Sequence, residues 1–141
     1  MKYVNQPVVK IDAAALTRGK PVYTDDLAPK DCLVVKLLRS PHAHAYIEEI
    51  HVAKAEQMPG VACILTYRDV PQKRFTIAGQ SYPEPSPYDR LILDRKMRFV
   101  GDVAAIVAAD TEEHALDAIK RIKIKYRVLE PILDFEKALD S

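Results

Sequence analysis

The clearest pattern in the sequence lies in residues 103–126, which read VAAIVAADTEEHALDAIKRIKIKY. The uninterrupted apolar run from Val103 to Ala109 predicts a buried β-strand. Asp110 suits an N-cap, and Glu113 would occupy the N3 position of a capping box. Beyond it, apolar residues recur at spacings of three and four as far as about Arg121, which predicts an amphipathic helix.

Short strands are predicted on both sides of this strand and helix. Apolar and polar residues alternate over 122–126, which indicates a half-exposed strand after the helix. Apolar runs bounded by turn residues predict further strands at 32–39, 47–52, 61–66, 91–93 and 97–100. The run 61–66 is continuous enough to suggest burial on both faces.

Two further segments are predicted to be helical turns. The first covers Ala53 to Met58 and ends at the turn dipeptide Pro59-Gly60. The second covers Phe135 to Leu139. Because strands and helices mix without a regular βαβα alternation, the predicted fold class is α+β, with a mixed sheet and two or three short helices.

The organisation along the chain is an arm followed by one domain. Residues 1–15 are predicted to form an N-terminal arm with little regular structure, and residues 16–141 form the domain. Within it, residues 71–90 are predicted to be a long loop, because four prolines fall in this stretch: Pro71, Pro83, Pro85 and Pro87. Loops of this length are usually functional or mobile.

Composition excludes several classes of protein. The 21 basic and 20 acidic residues give a formal net charge of +1, so neither a nucleic-acid nor a membrane partner is expected. No apolar run approaches the roughly 20 residues that span a bilayer, and the start lacks a secretory signal. We therefore expect a cytoplasmic protein. Cys32 and Cys63 each lie in an apolar run and are expected to be buried as small hydrophobic residues.

Two histidines are the only candidates for metal ligands. His42 and His44 are two residues apart in SPHAHA (40–45), so on an extended segment both would project to the same side. Transition-metal sites normally need three or four protein ligands, and no other histidine is related to these in sequence. The alternative is a strand end whose polar side chains cap a turn.

The other residues with chemical potential have simpler interpretations. Asp25 and Asp26 could do acid–base work as a carboxylate pair, but adjacent residues face opposite ways, and a solvated turn with aspartate capping fits better. Gly101 looks like a turn glycine between two strands. It belongs to no phosphate-binding pattern of glycines. The residues alone thus give no convincing catalytic constellation.

Several stretches, taken in order, resemble one family, the large subunits of molybdenum hydroxylases of the xanthine dehydrogenase and aldehyde oxidase kind. They are GKPVYTDDL (19–27), LRSPHAHAYI (38–47), PGV (59–61), FVGDVAAIVA (99–108) and, after the helix from Thr111, IKYRVLEP (124–131). The match covers about residues 16–140. One departure is Arg127, which stands where the family usually has an acidic residue, with one extra residue before Pro131.

The resemblance implies an α/β-hammerhead fold and a parent enzyme that hydroxylates purines, aldehydes or N-heterocycles at a molybdopterin centre. In such enzymes the molybdenum ligands and catalytic glutamate lie in other domains, so we expect no catalytic, cofactor-binding or metal-binding residue here and predict that this segment alone is inactive. It also implies 2Fe-2S and FAD groups on partner domains or subunits. The expected partners are the molybdopterin-binding domains of the same subunit, and the iron–sulfur and flavin subunits.

Two other hypotheses remain open at this point. The chain could be a free-standing interaction module that docks through loop 71–90, with Tyr82 and Tyr88 among its prolines as the contact residues. It could also be a small metal-binding enzyme built on His42 and His44. The sequence does not give the substrate of the parent enzyme or the oligomeric state.

Overall fold

A computed structural model of the chain describes residues 4–76 and 87–140. The chain divides into two units, Met1–Cys32 and Leu33–Ser141. The predicted boundary between residues 15 and 16 stays a prediction.

The first unit contains a helix where little regular structure was expected. Helix α1 (Ala13–Thr17) is five residues long and contains no buried residue. It is rich in alanine, the best helix former, and it ends at Gly19, whose φ of +65° lets the chain turn away. A 3-10 helix, Thr24–Leu27, follows. Both elements are too short to be detected from periodicity, which explains why the sequence did not predict them.

In residues 33–76 and 87–140, the second unit contains six strands and two α-helices. In chain order they are β1 (Val34–Arg39), β2 (Ala45–His51), α2 (Ala53–Glu56), β3 (Val61–Leu65), β4 (Lys96–Met97), β5 (Val103–Ala109), α3 (Glu112–Arg121) and β6 (Lys123–Val128). A 3-10 helix, Lys137–Asp140, comes last, where a helical turn over 135–139 was predicted.

The strands form two three-stranded sheets, ordered β1-β5-β3 and β4-β2-β6. Each pairing between neighbouring strands is antiparallel. The α+β class with short helices is confirmed, with the strands divided between two sheets where a mixed sheet was expected.

The core is built around β5, the middle strand of the first sheet. Its residues are mostly alanines, and all but Val103 and Ile106 are buried. Helix α3 adds Ala115 and Ala118 to the same core, with Ile47 of β2. Small side chains on both elements allow the backbones to approach closely, while the large aliphatic volume comes from the neighbouring strands. The predicted buried strand and amphipathic helix are both confirmed.

The N-cap of α3 differs from the prediction by one residue. Thr111, not Asp110, has the extended backbone of an N-cap, and its hydroxyl accepts a hydrogen bond from the His114 N–H at 3.2 Å. Asp110 still belongs to the strand end, because its own N–H donates to the Gly60 carbonyl at 2.9 Å. Its carboxylate lies 2.6 Å from Nδ1 of His114. The bond to Gly60 is non-local, so the capping-box pattern with Glu113 could not reveal it.

Two predictions of burial were wrong: strand 61–66 is not buried on both faces, and the two cysteines are not buried. β3 lies at the edge of its sheet, and Ile64 is the one residue of this strand that is buried. Cys63 lies on the outer face, beside an irregularity in the pairing between Val61 and Cys63. Cys32 precedes β1 and is also exposed. Burial here depends on the order of strands in the sheet, which an apolar run does not encode.

The segment before β5 contains less strand than predicted. Residues 91–93 form no strand, and the predicted strand 97–100 is reduced to the two residues of β4. Side-chain carboxylates take up the backbone donors in this segment: Asp94 accepts from the Lys96 N–H at 3.0 Å, and Asp102 accepts from the Arg98 N–H at 2.9 Å. Such local bonds compete with sheet pairing. Leu93 is nevertheless buried.

We expect Gly60→Ala to destabilise the protein strongly. Gly60 has a φ of +80°, and an added Cβ would lie 2.1 Å from Nδ1 of His114 and 2.3 Å from the Asp110 carboxylate. Strain and overlap together should cost on the order of 2–4 kcal/mol of unfolding free energy in a urea titration. Gly101→Ala is the matched control, because φ there is +96° but nothing lies within 4 Å of the added atom. It should lose only about 1–2 kcal/mol; equal losses would contradict the close approach at Gly60.

The Asp110–His114 pair should make stability depend on pH. The hydrogen bond between them raises the pKa of His114 above 6.5 and lowers that of Asp110 below 3.8. The His114 contribution is therefore complete below 6.5 and is lost as pH rises through the raised pKa. The Asp110 contribution is present above 3.8 and is lost as pH falls through the lowered pKa.

The measurement is urea unfolding of wild type and His114→Gln across this pH range. The stability difference should be largest at about pH 5 and should shrink towards both alkaline and strongly acidic pH. Asp110→Asn is the control, because in that background the His114→Gln change should show no such maximum. A difference that does not vary with pH would show that the pair is not ionised in the folded protein.

Candidate functional site

Residues 40–45 form a corner that carries the chain from one sheet to the other. β1 of the first sheet ends at Arg39, and β2 of the second begins at Ala45. The backbone of Ser40 is held on both sides: its N–H donates to the Asp102 carbonyl at 2.8 Å, and its carbonyl accepts from the Gly101 N–H at 2.8 Å. The corner is thus fixed to the turn that leads into β5.

The side chain of Ser40 organises the interior of this corner. Ser40 is buried, and its hydroxyl accepts a hydrogen bond from the His42 N–H at 3.1 Å. It also donates to the His42 carbonyl at 3.1 Å. Burial raises the pKa of the Tyr126 phenol on β6, and the Ser40 hydroxyl offsets part of that rise.

Each histidine of the corner has its own structural partner. The His42 ring packs edge-on against the Tyr126 ring, with the centroids 4.9 Å apart. Nδ1 of His44 lies 3.0 Å from the Glu130 carbonyl oxygen, and the His44 carbonyl accepts from the Leu129 N–H at 2.9 Å. Within residues 4–76 and 87–140, no group of three or more His, Cys, Asp or Glu side chains is placed to hold a metal.

The remaining sequence candidates also occupy turns. Asp25 and Asp26 lie exposed in the 3-10 helix of the first unit, where the Asp26 carboxylate accepts the Tyr23 N–H at 2.9 Å. This is the predicted solvated turn with aspartate capping. Gly101, with φ of +96°, is the predicted turn glycine between β4 and β5, and its carbonyl accepts from the Arg39 guanidinium at 2.9 Å.

A cavity of about 510 Å³ lies beside the corner. It is lined by Ala43, His44, Lys96, Arg98, Phe99, Val100, Pro131, Ile132 and Leu133. We call the four large apolar members, Phe99, Val100, Ile132 and Leu133, the corner surface. All four are exposed, Leu133 by 83%. The sequence reasoning missed this surface, although the apolar run after Pro131 falls outside every predicted strand and could have indicated it.

Of the lysine and arginine side chains that line this cavity, Arg98 has a carboxylate partner and Lys96 contacts an aromatic ring. The Arg98 guanidinium lies 2.6 Å from the Asp94 carboxylate, and both side chains are largely shielded. Burial raises the pKa of Asp94, but hydrogen bonds from the Lys96 N–H and from Arg98 outweigh it and leave the pKa below its ordinary value. The Lys96 ammonium lies over the Tyr46 ring, 5.8 Å from its centroid. The cavity is therefore apolar, with the Arg98–Asp94 ion pair at its margin.

An isolated β-bridge joins two residues of the predicted loop 71–90. Phe75 and Arg90 pair as an antiparallel bridge, with N···O distances of 2.9 and 3.2 Å between their backbones. Of the two tyrosines predicted as contact residues, Tyr88 is exposed. Tyr82 lies outside the described residues.

The fold and the corner define the class of protein. A family model described as the a/b hammerhead domain of aldehyde oxidase and xanthine dehydrogenase matches residues 18–130. The chain belongs to this family. Both the hammerhead fold and the resemblance drawn from the sequence are confirmed.

The chain is similar to segments of much longer proteins. It is 44% identical over 139 residues to the probable hypoxanthine oxidase XdhD of Escherichia coli strain K12, covering 99% of this chain and 14% of XdhD. It is 32% identical over 139 residues to the xanthine dehydrogenase/oxidase of Gallus gallus, covering 98% of this chain and 10% of that protein.

Solved structures give the same result. The quinoline 2-oxidoreductase of Pseudomonas putida 86 matches with a TM-score of 0.75 and 31% identity, over 94% of this chain and 17% of that one. The aldehyde oxidoreductase of Desulfovibrio desulfuricans matches with a TM-score of 0.75 and 30% identity, over 92% and 15%. The chain thus corresponds to a segment of molybdenum enzymes of the xanthine dehydrogenase and aldehyde oxidoreductase type. No helix among the described residues is long and apolar enough to cross a membrane.

We expect Ser40→Ala to destabilise the corner. The substitution leaves the His42 N–H without its acceptor and the His42 carbonyl without its donor in a part-buried turn. Its cost should be about 1–3 kcal/mol in urea unfolding. Thr17→Ala is the control, since that hydroxyl donates to a backbone carbonyl at 2.9 Å in an exposed helix and should matter little. Equal effects of the two substitutions would show that the Ser40 hydroxyl does not hold the corner.

Proposed function

We propose that this chain is a structural segment, without a catalytic centre, of a molybdenum hydroxylase related to xanthine dehydrogenase. Its role is to pack against the molybdopterin-binding domains of the same subunit. The observation that carries the proposal is the corner surface, where four large apolar side chains lie exposed around one cavity. Contiguous apolar surface of this kind usually marks an interface.

The electrostatics around the corner surface suit a permanent interface. Burying an uncompensated charge against another protein costs several kcal/mol per ion. Here Arg98 is paired with Asp94, and Lys96 stacks on Tyr46. When the surface loses its water, Arg98 keeps its counterion, and the Lys96 ammonium is the one lining lysine or arginine that would still need a partner. The relatives are several times longer than this chain, so they contain other polypeptide that could cover such a surface.

The residues present do not fit a molybdopterin. A buried cofactor of that kind needs polar groups that face a recess and are free to bind it. Among the described residues, the buried polar residues are Ser40 and Thr66, and the Thr76 hydroxyl is a buried atom without a hydrogen-bond partner, a single group where a pterin needs several. Ser40 is engaged inside the corner, and the Thr66 hydroxyl lies 2.7 Å from the Asp69 carboxylate. The cofactor would therefore be held by other domains of the parent enzyme.

The cysteines do not fit an iron–sulfur cluster either. A 2Fe-2S cluster takes four ligands, usually cysteine thiolates. The chain has two cysteines, and both are free and exposed. We accordingly propose that 2Fe-2S and FAD groups belong to partner domains or subunits, and that the parent enzyme hydroxylates a purine, an aldehyde or an N-heterocycle.

The test is a chimeric XdhD of Escherichia coli in which this chain replaces the matching 139 residues. The chimera should bind molybdenum, and its Phe99→Asp/Leu133→Asp variant should lose most of that molybdenum, because two carboxylates would be buried at the interface. Leu116→Asp is the matched control. Leu116 is an exposed leucine on α3 that does not line the cavity, so its variant should keep the metal. Molybdenum is measured by mass spectrometry of the purified protein.

Two results would contradict the proposal. If the double variant kept its molybdenum while the control lost it, the corner surface would not be the interface. If this chain, purified alone from molybdenum-supplied cells, contained stoichiometric molybdopterin and oxidised hypoxanthine, the absence of a catalytic centre would be wrong.

A further inference from the structure

A second cavity, of about 660 Å³, shares no residue with the one beside the corner. It lies where β2 ends, α2 begins, α3 ends and β6 begins. We call it the basic cleft, and it is lined by His51, Ala53, Lys54, Lys120, Arg121 and Lys123. Every lining residue except Ala53 is basic. The whole chain has a net charge of only +1, so this accumulation is local.

Helix polarity explains only part of the cluster. Lys120 and Arg121 occupy the last turn of α3, where positive side chains interact favourably with the helix dipole. Lys123 is on β6, and His51 is the last residue of β2. Lys54 comes from the four-residue helix α2. Three separate segments therefore bring lysine or arginine side chains to one place, with the His51 imidazole from a fourth, and a capping role for α3 does not account for the contributions of the others.

The charges of the cleft are only partly compensated. Lys120 lies 2.7 Å from the Asp117 carboxylate, and His51 lies 3.1 Å from that of Glu49. In the part of the chain that the structure describes, Lys54, Arg121 and Lys123 have no acidic partner within ion-pair distance. Clustered like charges repel one another, so the folded protein carries a cost that an anion would relieve.

A neighbouring lysine on β6 differs from Lys123 because it has acidic partners. Lys125, two residues after Lys123 on β6, lies 3.2 Å from the Glu48 carboxylate and 3.7 Å from that of Glu49. The hydrogen bond and the charge of Glu48 raise the pKa of Lys125. Lys125 thus has two acidic partners on the adjacent surface, while Lys54, Arg121 and Lys123 of the cleft have none within ion-pair distance among the described residues.

We propose that the basic cleft binds a small molecule that carries two or more linked phosphate groups. Lysine ammonium groups bind phosphate as mobile point charges, and the arginine guanidinium adds a planar fork of donors for its oxygens. Binding several of these cations at once requires an anion with charges spread over several ångströms. The volume is in the range of about 300–1,000 Å³ that holds nucleotide-sized ligands. Inorganic polyphosphate and a nucleoside triphosphate share this chemistry.

The test is isothermal titration of the 141-residue chain with tripolyphosphate and with ATP, both free of magnesium, at low salt. We expect a dissociation constant on the order of micromolar and weaker binding as salt increases. Arg121→Gln/Lys123→Gln should weaken binding at least about tenfold. Lys125→Gln removes one positive charge from the same strand outside the cleft and should change binding less than about twofold.

The two ligands distinguish the sources of phosphate. Tighter binding of ATP than of tripolyphosphate identifies a nucleotide site, because the base then adds contacts; equal binding identifies the phosphate chain as the whole ligand. Both outcomes support the proposal. In the wild-type chain, the amide NMR signals of residues 51–54 and 120–123 should shift most. This measurement remains valid even if the double variant does not fold.

Three results would overturn the proposal. The first is no binding of either ligand at millimolar concentration. The second is a loss on Lys125→Gln as large as that of the double variant, which would show diffuse attraction to the whole surface. The third is binding of a poly-glutamate peptide at the same residues more tightly than tripolyphosphate, which would make the cleft a docking site for an acidic polypeptide.

Discussion

The second unit depends on the pair of backbone hydrogen bonds that Ser40 makes with the turn before β5. Its N–H donates to Asp102, and its carbonyl accepts from Gly101, each at 2.8 Å. This pair continues the β1–β5 pairing beyond its last regular step, where the register shifts at Arg39. It therefore fixes the point at which the chain leaves the first sheet. The direction of β2, and with it the second sheet, follows from that point.

Much of the fold could be predicted because its central elements carry local patterns. The apolar run of β5, the spacing of α3 and the alternation of β6 are each contained in a few consecutive residues, and all three were confirmed. The wrong predictions concern residues whose contacts or burial depend on parts of the chain that are distant in sequence. Asp110 lost its capping role to Thr111 because it bonds to Gly60, fifty positions away. Cys63 is exposed because β3 lies at the edge of its sheet.

The candidate sites show the same difference between local patterns and contacts from distant residues. The sequence directed attention to His42 and His44 because metal ligands are recognised by residue type and short spacing. Their partners, the Tyr126 ring and the Glu130 carbonyl, come from the far end of the chain and give them structural roles. The basic cleft was missed for the opposite reason. Its cations are ordinary surface residues in each segment, and only the meeting of four segments makes them a cluster.

The two cavities differ in how their charges are satisfied, and this difference assigns them different environments. Around the corner surface, Arg98 has a carboxylate partner and Lys96 lies over an aromatic ring, so a covering protein surface would have to supply a partner for one cation only. In the basic cleft, Arg121 and Lys123 have no such partner among the described residues, and covering them with apolar surface would cost several kcal/mol per ion. This difference supports the proposal that the stable interface lies at the corner. The cleft has to remain in contact with water or with an anion. A single ligand with linked phosphate groups can contact several of its cations at once, whereas separate anions would each have to be bound.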